Sequence, residues 1–276
     1  MKRDSSIIAH TSLLLLLLAA TGTFARAQQP NATQPSFSRG EELFYEAEFK
    51  RALLRGANIG EFRFSAHSEQ TASGDPLRLV GDVVSKGFFT KLAGIHFHEH
   101  VESIVEPDQF MLLRTNKLDE QGKRVRVSDA IFDHEKRKVT WTERDPNQNQ
   151  PPRITSLDFS EPIQDILSMI YFLRTQQLDV GKSFEIPVSD SGRVFRVTVA
   201  VVERKRIKCV PGRVSAVRVE PAMFGEGRML RGEGKLSIWI TEDNRHLPVW
   251  AHLKLNIGTV DIKLKRVSYQ GMTGER

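Results

Sequence analysis

The sequence predicts a mainly β protein in which one large antiparallel sheet curves into a barrel or half-barrel around one apolar helix. Two observations predict the sheet: apolar and polar residues alternate from Leu43 onward, and turn-forming residues interrupt the alternation at short intervals. A third observation predicts the helix, because one stretch places apolar residues three and four positions apart. Short strands joined by tight turns favour antiparallel pairing, since parallel strands need long crossover connections.

The alternating segments are each short, as strands of a sandwich or barrel are. Their side chains point in turn to a packed face and to water. Clear alternation is found at 62–64, 125–127, 139–141 and 196–199. Turn sequences rich in Gly, Asp, Asn and Ser are found at 73–76, 120–123, 189–192 and 242–244. Strands of ordinary length would number about twelve to fourteen in a chain of this size.

The helix is predicted at about 161–178, between strands at about 41–157 and strands at about 183–270. Pro162 suits the first helical turn, where its missing N–H costs nothing, and Gly181 lies just past the end. Met169 and Phe172 make the helix apolar around much of its circumference. We therefore expect the helix to plug or cover the sheet. Two alternatives stay open: the helix fills the concave side of the sheet, or the concave side forms an apolar cavity.

The first 27 residues are typical of a secretory signal peptide. Lys2 and Arg3 precede an apolar run at 13–20, and small residues at 25 and 27 predict cleavage between Ala27 and Gln28. This run is too short for a membrane span, which needs about 20 residues, and no second run of that length follows. We expect a periplasmic protein with a polar, disordered leader at 28–40 and a single β-rich domain at 41–276.

Composition and motifs favour binding over catalysis. The net charge of +6 is spread along the chain, and the basic stretch 204–206 lacks the interleaved aromatic residues of nucleic-acid sites. No Gly-x-Ser-x-Gly elbow, His-Glu-x-x-His motif or paired-cysteine zinc motif is present. The Gly-Glu-Gly sequences at 225–227 and 232–234 are typical of hairpins and bulges. We therefore expect no enzyme activity, no catalytic residue and no cofactor.

Cys209 is the only cysteine, so an internal disulfide is excluded. Such a cysteine is buried and inert, links two chains, or reacts. The neighbouring cations would lower its pKa, whereas Pro211 and Gly212 indicate a turn beside a strand end. The sequence favours the structural role.

Three alternating histidines form the most suggestive chemical motif. On a strand, His96, His98 and His100 would share one face, with neighbours about 6.6 Å apart. His96 and His98 could hold one metal ion together with a ligand from elsewhere in the chain. The alternative is that the three histidines form the water-facing side of a strand.

Three passages resemble one bacterial family. They are Tyr45 to Phe62, the helix from Gln164 with Gly181 and Lys182 after it, and the strand from Leu236 followed by Leu247, Pro248 and Gly258. In this order and spacing the chain, over about 43–269, resembles the bacterial envelope family of domain of unknown function 3108. The resemblance implies an envelope location and a β-rich fold, and it implies no activity.

The strand around Trp239, its acidic turn and the following Leu-Pro-Val also resemble the hairpin of periplasmic lipoprotein carriers of the Lol type and their outer-membrane receptor. These are incomplete barrels with an apolar groove, so the resemblance leads to the hypothesis of a protein that binds a lipid or another apolar envelope molecule. Candidate wall and plug residues are Phe88, Phe89, Ile166, Ile170, Phe172, Trp239 and Trp250. The alternatives are an assembly module that binds another envelope protein and a metal-binding protein that uses His96 and His98.

Overall fold

A computed structural model describes residues 37, 40–51, 54–68, 75–87, 96–210, 212–230 and 232–269. The predicted signal peptide, most of the predicted leader and the candidate ligand residues Phe88 and Phe89 lie outside the described residues.

Within the described residues, the chain forms fourteen strands and one helix. The first eight strands are β1 (Glu41–Arg51), β2 (Leu54–Ser68), β3 (Leu77–Ser85), β4 (Phe97–Glu106), β5 (Met111–Gln121), β6 (Arg124–Asp133), β7 (Lys138–Arg144) and β8 (Arg153–Asp158). After the helix α1 (Ile166–Thr175) come β9 (Ser183–Asp190), β10 (Arg193–Cys209), β11 (Gly212–Pro221), β12 (Gly234–Thr241), β13 (Pro248–Leu255) and β14 (Gly258–Tyr269).

All fourteen strands belong to one antiparallel sheet, which confirms the predicted fold class. The sheet runs from β8 through β1 to β14 and on to β9. Each strand therefore neighbours the next in sequence within β1–β8 and within β9–β14, and β1 pairs with β14. This is the strand order of an up-and-down barrel whose first and last strands, β1 and β14, are paired. The barrel is open between β8 and β9, the point at which α1 interrupts the chain. We call this opening the seam.

The segment that leads into α1 covers one side of the seam. Gln164 pairs with β9 in parallel: its N–H donates to the Pro187 carbonyl at 2.9 Å and its carbonyl accepts the N–H of Ser189 at 2.7 Å. Across the seam, the indole N–H of Trp141 in β7 donates to Ser189 Oγ at 2.8 Å. The edge of β9 is therefore partly paired, whereas β8 has a strand neighbour on one side only among the described residues.

The helix is shorter than the predicted 161–178 because a capping box sets its start. Asp165 is the N-cap: its carboxylate accepts the N–H of Ser168 at 2.6 Å, and its own N–H donates to Ser168 Oγ at 2.9 Å. The residues just before Asp165 use their backbone to pair with β9, so they cannot be helical. The last helical residue is Thr175, and the Gln176 N–H closes the end on the Leu173 carbonyl.

The helix lies against the concave side of the sheet and fills it. Leu167 and Tyr171 pack with the buried apolar residues of β3 to β7, whereas Met169 and Leu173 pack with those of β9 to β12. A third cluster joins β1 to the strands β12, β13 and β14. Of the two alternatives that the sequence left open, this packing favours the filled one.

Candidate functional site

A buried ion pair fixes the C-terminal end of α1 inside the sheet. Arg174 and Glu41 are both fully buried, and the guanidinium donates to the two carboxylate oxygens at 2.6 and 3.0 Å. Arg174 also donates to the Arg245 carbonyl from Nε at 3.2 Å and from Nη2 at 2.9 Å. Its Cζ atom lies 5.2 Å from the ring centroid of Phe37 and 5.3 Å from that of Tyr171. Phe37 belongs to the predicted leader, and the structure buries it in this core.

A second buried polar group fixes the N-terminal end of α1. Besides capping the helix, the Asp165 carboxylate accepts hydrogen bonds from Ser103 Oγ on β4 at 2.6 Å and from Thr115 Oγ1 on β5 at 2.5 Å. All three side chains are buried. Because a buried carboxylate is costly unless its oxygens are hydrogen-bonded, this arrangement holds the helix in one place.

The predicted ligand residues on α1 are only half-buried. Ile166 and Phe172 contact the β9–β12 cluster, and Ile170 is also partly exposed. The buried side of α1 is occupied by other side chains, among them Leu167, Tyr171 and Leu173.

The predicted ligand residues Trp239 and Trp250 form a separate pair. They lie directly opposite on β12 and β13, with ring centroids 6.5 Å apart and planes 14° from parallel. Alternation along these strands puts them on the face opposite to Ile238 and Ala251, which pack in the α1 cluster. The structure therefore does not bring the two tryptophans and the α1 candidates together around one cavity.

The histidine motif lies in a network of carboxylates. His98 Nδ1 lies 2.8 Å from Glu120 Oε2, and His100 bridges Asp82 at 2.7 Å and Glu102 at 3.2 Å. Although burial lowers the pKa of His100, its hydrogen bonds to the two carboxylates outweigh burial and raise that pKa. His96 is exposed. Over the described ranges, no group of three or more His, Cys, Asp or Glu side chains is arranged to hold a metal ion.

Sequence reasoning missed a second network, centred on Asp261 of β14. Although burial raises the pKa of its carboxyl, hydrogen bonds from His252, Lys50 and Trp250 outweigh burial and lower it to about 2. The distances from the carboxylate are 2.7 Å to His252 Nδ1, 2.5 Å to Lys50 Nζ and 2.9 Å to Trp250 Nε1. Lys50 lies 211 positions from Asp261, so no local motif could have revealed the group.

Cys209 is half-buried near the end of β10. Burial raises the pKa of its thiol, which disfavours the reactive thiolate form. This supports the structural role that the sequence favours.

An open cleft of about 510 Å³ lies at the seam. Its lining comes from the end of β8, the start of β10 and the loop between β11 and β12: Leu157, Asp158, Gly192, Arg193, Val194, Phe195, Gly227 and Arg228. On the same strand, three positions before Leu157, Ile154 is exposed, with 66% of its residue surface accessible. The seam thus combines a free strand edge, an exposed apolar side chain and a concave surface.

A family model described as a protein of unknown function, DUF3108, matches residues 45–265. The chain belongs to this family. No curated protein matches this DUF3108 protein. Among solved structures it is similar to a β-barrel-like protein of the domain of unknown function DUF1849 from Brucella abortus, with 12% identity and a TM-score of 0.56, over 83% of this chain and 97% of that one. A protein with a YmcC-like fold from Bacteroides fragilis also matches, with 9% identity and a TM-score of 0.33, over 84% and 96% of the two chains.

The likeness to the DUF1849 protein shows a shared barrel-like fold for this DUF3108 protein, and at 12% identity it shows the fold alone. In the part of the chain that the structure describes, no helix has both the length and the apolar composition needed to cross a membrane.

Proposed function

We propose that this DUF3108 protein is a non-enzymatic assembly protein of the bacterial periplasm, whose sheet is a packed scaffold and whose partner is another envelope protein bound at the seam. The observation that carries the proposal is the position of α1, which fills the concave side of the sheet. The predicted signal peptide at 1–27 supports the location.

The contacts of α1 support a scaffold rather than a carrier. Carriage of a lipid within the sheet, the first hypothesis from the sequence, requires α1 to leave the concave side. That movement would separate Arg174 from Glu41, and breaking a buried ion pair costs about 3–5 kcal/mol. It would also remove the hydroxyl partners of Asp165. The side chains of Arg174, Glu41 and Asp165 thus stabilise the position of α1.

The seam supports binding of a partner protein. A strand with one free edge presents unpaired N–H and C=O groups, to which an extended segment of another protein can add as a further strand. On β8 this edge runs beside exposed Ile154 and the cleft at the start of β10. An extended segment with an apolar side chain at the Ile154 position fits this surface.

The test uses two matched substitutions. Ile154→Lys puts a charge on the free edge, and Ile257→Lys puts the same charge at the β13–β14 turn, where the isoleucine is 62% exposed. Tagged wild type and both variants are cross-linked in cells, and bound proteins are quantified by mass spectrometry. We expect one stoichiometric partner with wild type and Ile257→Lys and its loss with Ile154→Lys, at equal melting temperatures. Equal partner recovery with all three proteins would contradict binding at the seam.

A further inference from the structure

The end of the β10–β11 hairpin projects beyond the sheet. β9 pairs with β10 only as far as Ala200, and β12 pairs with β11 only between Ala216 and Val219. β10 and β11, however, continue to pair with each other up to Cys209 and Gly212. Residues 204–210 and 212–215, which we call the projecting hairpin, therefore have no strand on either outer edge among the described residues.

The projecting hairpin carries a surplus of positive charge. It holds Arg204, Lys205, Arg206, Lys208 and Arg213 and no acidic residue. Arg204 forms an ion pair with Glu242, whereas the other four have no acidic partner within the described ranges. Such a surplus in one short element attracts an anionic surface.

The register places like charges next to each other on the two strands of the hairpin. Lys208 and Arg213 lie directly opposite each other, and Arg206 is two positions along the same face. Like charges directly opposite on paired strands destabilise a sheet. Local conflicts of this kind are expected where a side-chain arrangement serves function rather than stability.

The other face of the hairpin packs against the protein, and this packing sets the direction in which the cations point. Ile207 and Cys209 alternate with them along β10 and pack in the cluster that contains Trp239 and Leu247. The face with Arg206, Lys208 and Arg213 therefore points away from the body of the protein. At the turn, Val210 is 49% exposed. An exposed cationic face that ends in an apolar tip matches the headgroup and acyl regions of a bilayer surface.

We propose that the projecting hairpin docks this protein onto the surface of an anionic phospholipid bilayer. Arg206, Lys208 and Arg213 contact the headgroups, and Val210 enters the boundary between headgroups and acyl chains. Each cation near an anionic bilayer surface raises binding about fivefold. The proposal is independent of the seam, because β8 and the projecting hairpin are separate parts of the sheet.

The test is cosedimentation of the intact protein with vesicles. Wild type is compared with a hairpin variant that carries Arg206→Gln, Lys208→Gln and Arg213→Gln. The matched control carries Arg124→Gln, Arg126→Gln and Arg144→Gln, which remove the same charge from β6 and β7, at a small cleft that Glu143 and Asp145 also line. Vesicles contain phosphatidylcholine with phosphatidylglycerol, or phosphatidylcholine alone.

We expect wild type and control to bind the mixed vesicles and to leave the neutral ones unbound. The hairpin variant should bind about 100-fold more weakly, since it loses three cations. High salt should weaken binding of wild type, because charges at an exposed surface are screened within about 8 Å at physiological ionic strength.

Three results would overturn the proposal: no binding of wild type to mixed vesicles at low salt, unchanged binding of the hairpin variant, or equal losses in variant and control. Capture of an acidic protein without vesicle binding would assign the cations to that partner instead. The hairpin variant removes a repulsive pair, so its melting temperature should not fall. If it did not fold, Lys208→Gln alone should still weaken vesicle binding about fivefold.

Discussion

The interior of the sheet and the projecting hairpin differ in how they hold charge. Inside, Arg174 is matched by Glu41 and by a backbone carbonyl, with no exposed surface on either charged side chain. On the hairpin, Lys208 and Arg213 lie opposite each other in water, with no acidic partner among the residues that the structure describes. Unpaired charge in the interior would unfold the protein, whereas unpaired charge in water costs little. The buried pair therefore marks the structural centre of this molecule, and the cations of the projecting hairpin mark its proposed contact surface.

The largest expected effect tests the interior half of this comparison. Arg174→Met leaves Glu41 buried without a counter-ion and should lower the free energy of unfolding by about 3–5 kcal/mol. Urea denaturation of wild type and variant measures it. The double variant with Glu41→Leu should recover much of the loss, because it removes the stranded charge. A loss below about 1 kcal/mol for Arg174→Met, the range of an exposed ion pair, would contradict a structural role.

The next effect concerns the other end of α1. Asp165→Ala removes the helix cap and leaves Ser103 and Thr115 without their acceptor, so we expect about 2 kcal/mol of destabilisation in the same experiment. The matched control is Asp133→Ala, at an exposed turn, which should change stability by no more than about 0.5 kcal/mol. Equal effects of the two substitutions would show that Asp165 does not hold the helix.

A pH effect distinguishes the Asp261 network from the rest of the protein. The pKa of Asp261 is lowered to about 2 in the folded state, from an ordinary value of 3.8. When the pH lies between these two values, the unfolded chain therefore binds a proton that the folded protein does not. The stability that this group contributes is complete above about pH 4 and is lost as the pH falls towards 2. Asp261→Asn should flatten the pH dependence of the unfolding free energy in this window. An unchanged slope would rule out the network as its source.

The smallest effect tests the hairpin half of the comparison. Lys208→Glu converts a repulsive cross-strand pair into an attractive one and should raise the unfolding free energy by about 0.5 kcal/mol. Lys205→Glu makes the same charge change opposite Ala216, so it should have a smaller effect in thermal melts. If Lys208→Glu destabilised the protein more than Lys205→Glu, the two cations would not repel each other.

Local periodicity and turn residues were enough to predict the antiparallel sheet and the approximate position of α1. The seam was not predictable, since local patterns do not tell which strands pair over long distances, and β1 pairs with β14 across nearly the whole chain. The helix start shifted because Gln164 pairs with β9, a tertiary contact. The partners Arg174 and Glu41 are 133 positions apart and leave no local signal. The basic stretch at 204–206 was visible, but its lack of acidic partners depends on the fold.

The measurement that tests the central claim most directly is lipid analysis of the protein, purified from cells without detergent. A high-salt wash screens the hairpin cations, so lipid that remains is held by the body of the protein. Organic extraction and mass spectrometry then give the amount of lipid per protein. A packed scaffold with α1 inside the sheet predicts no lipid species in stoichiometric amount. One defined lipid per protein would contradict it and would mean that α1 leaves the concave side to admit a ligand.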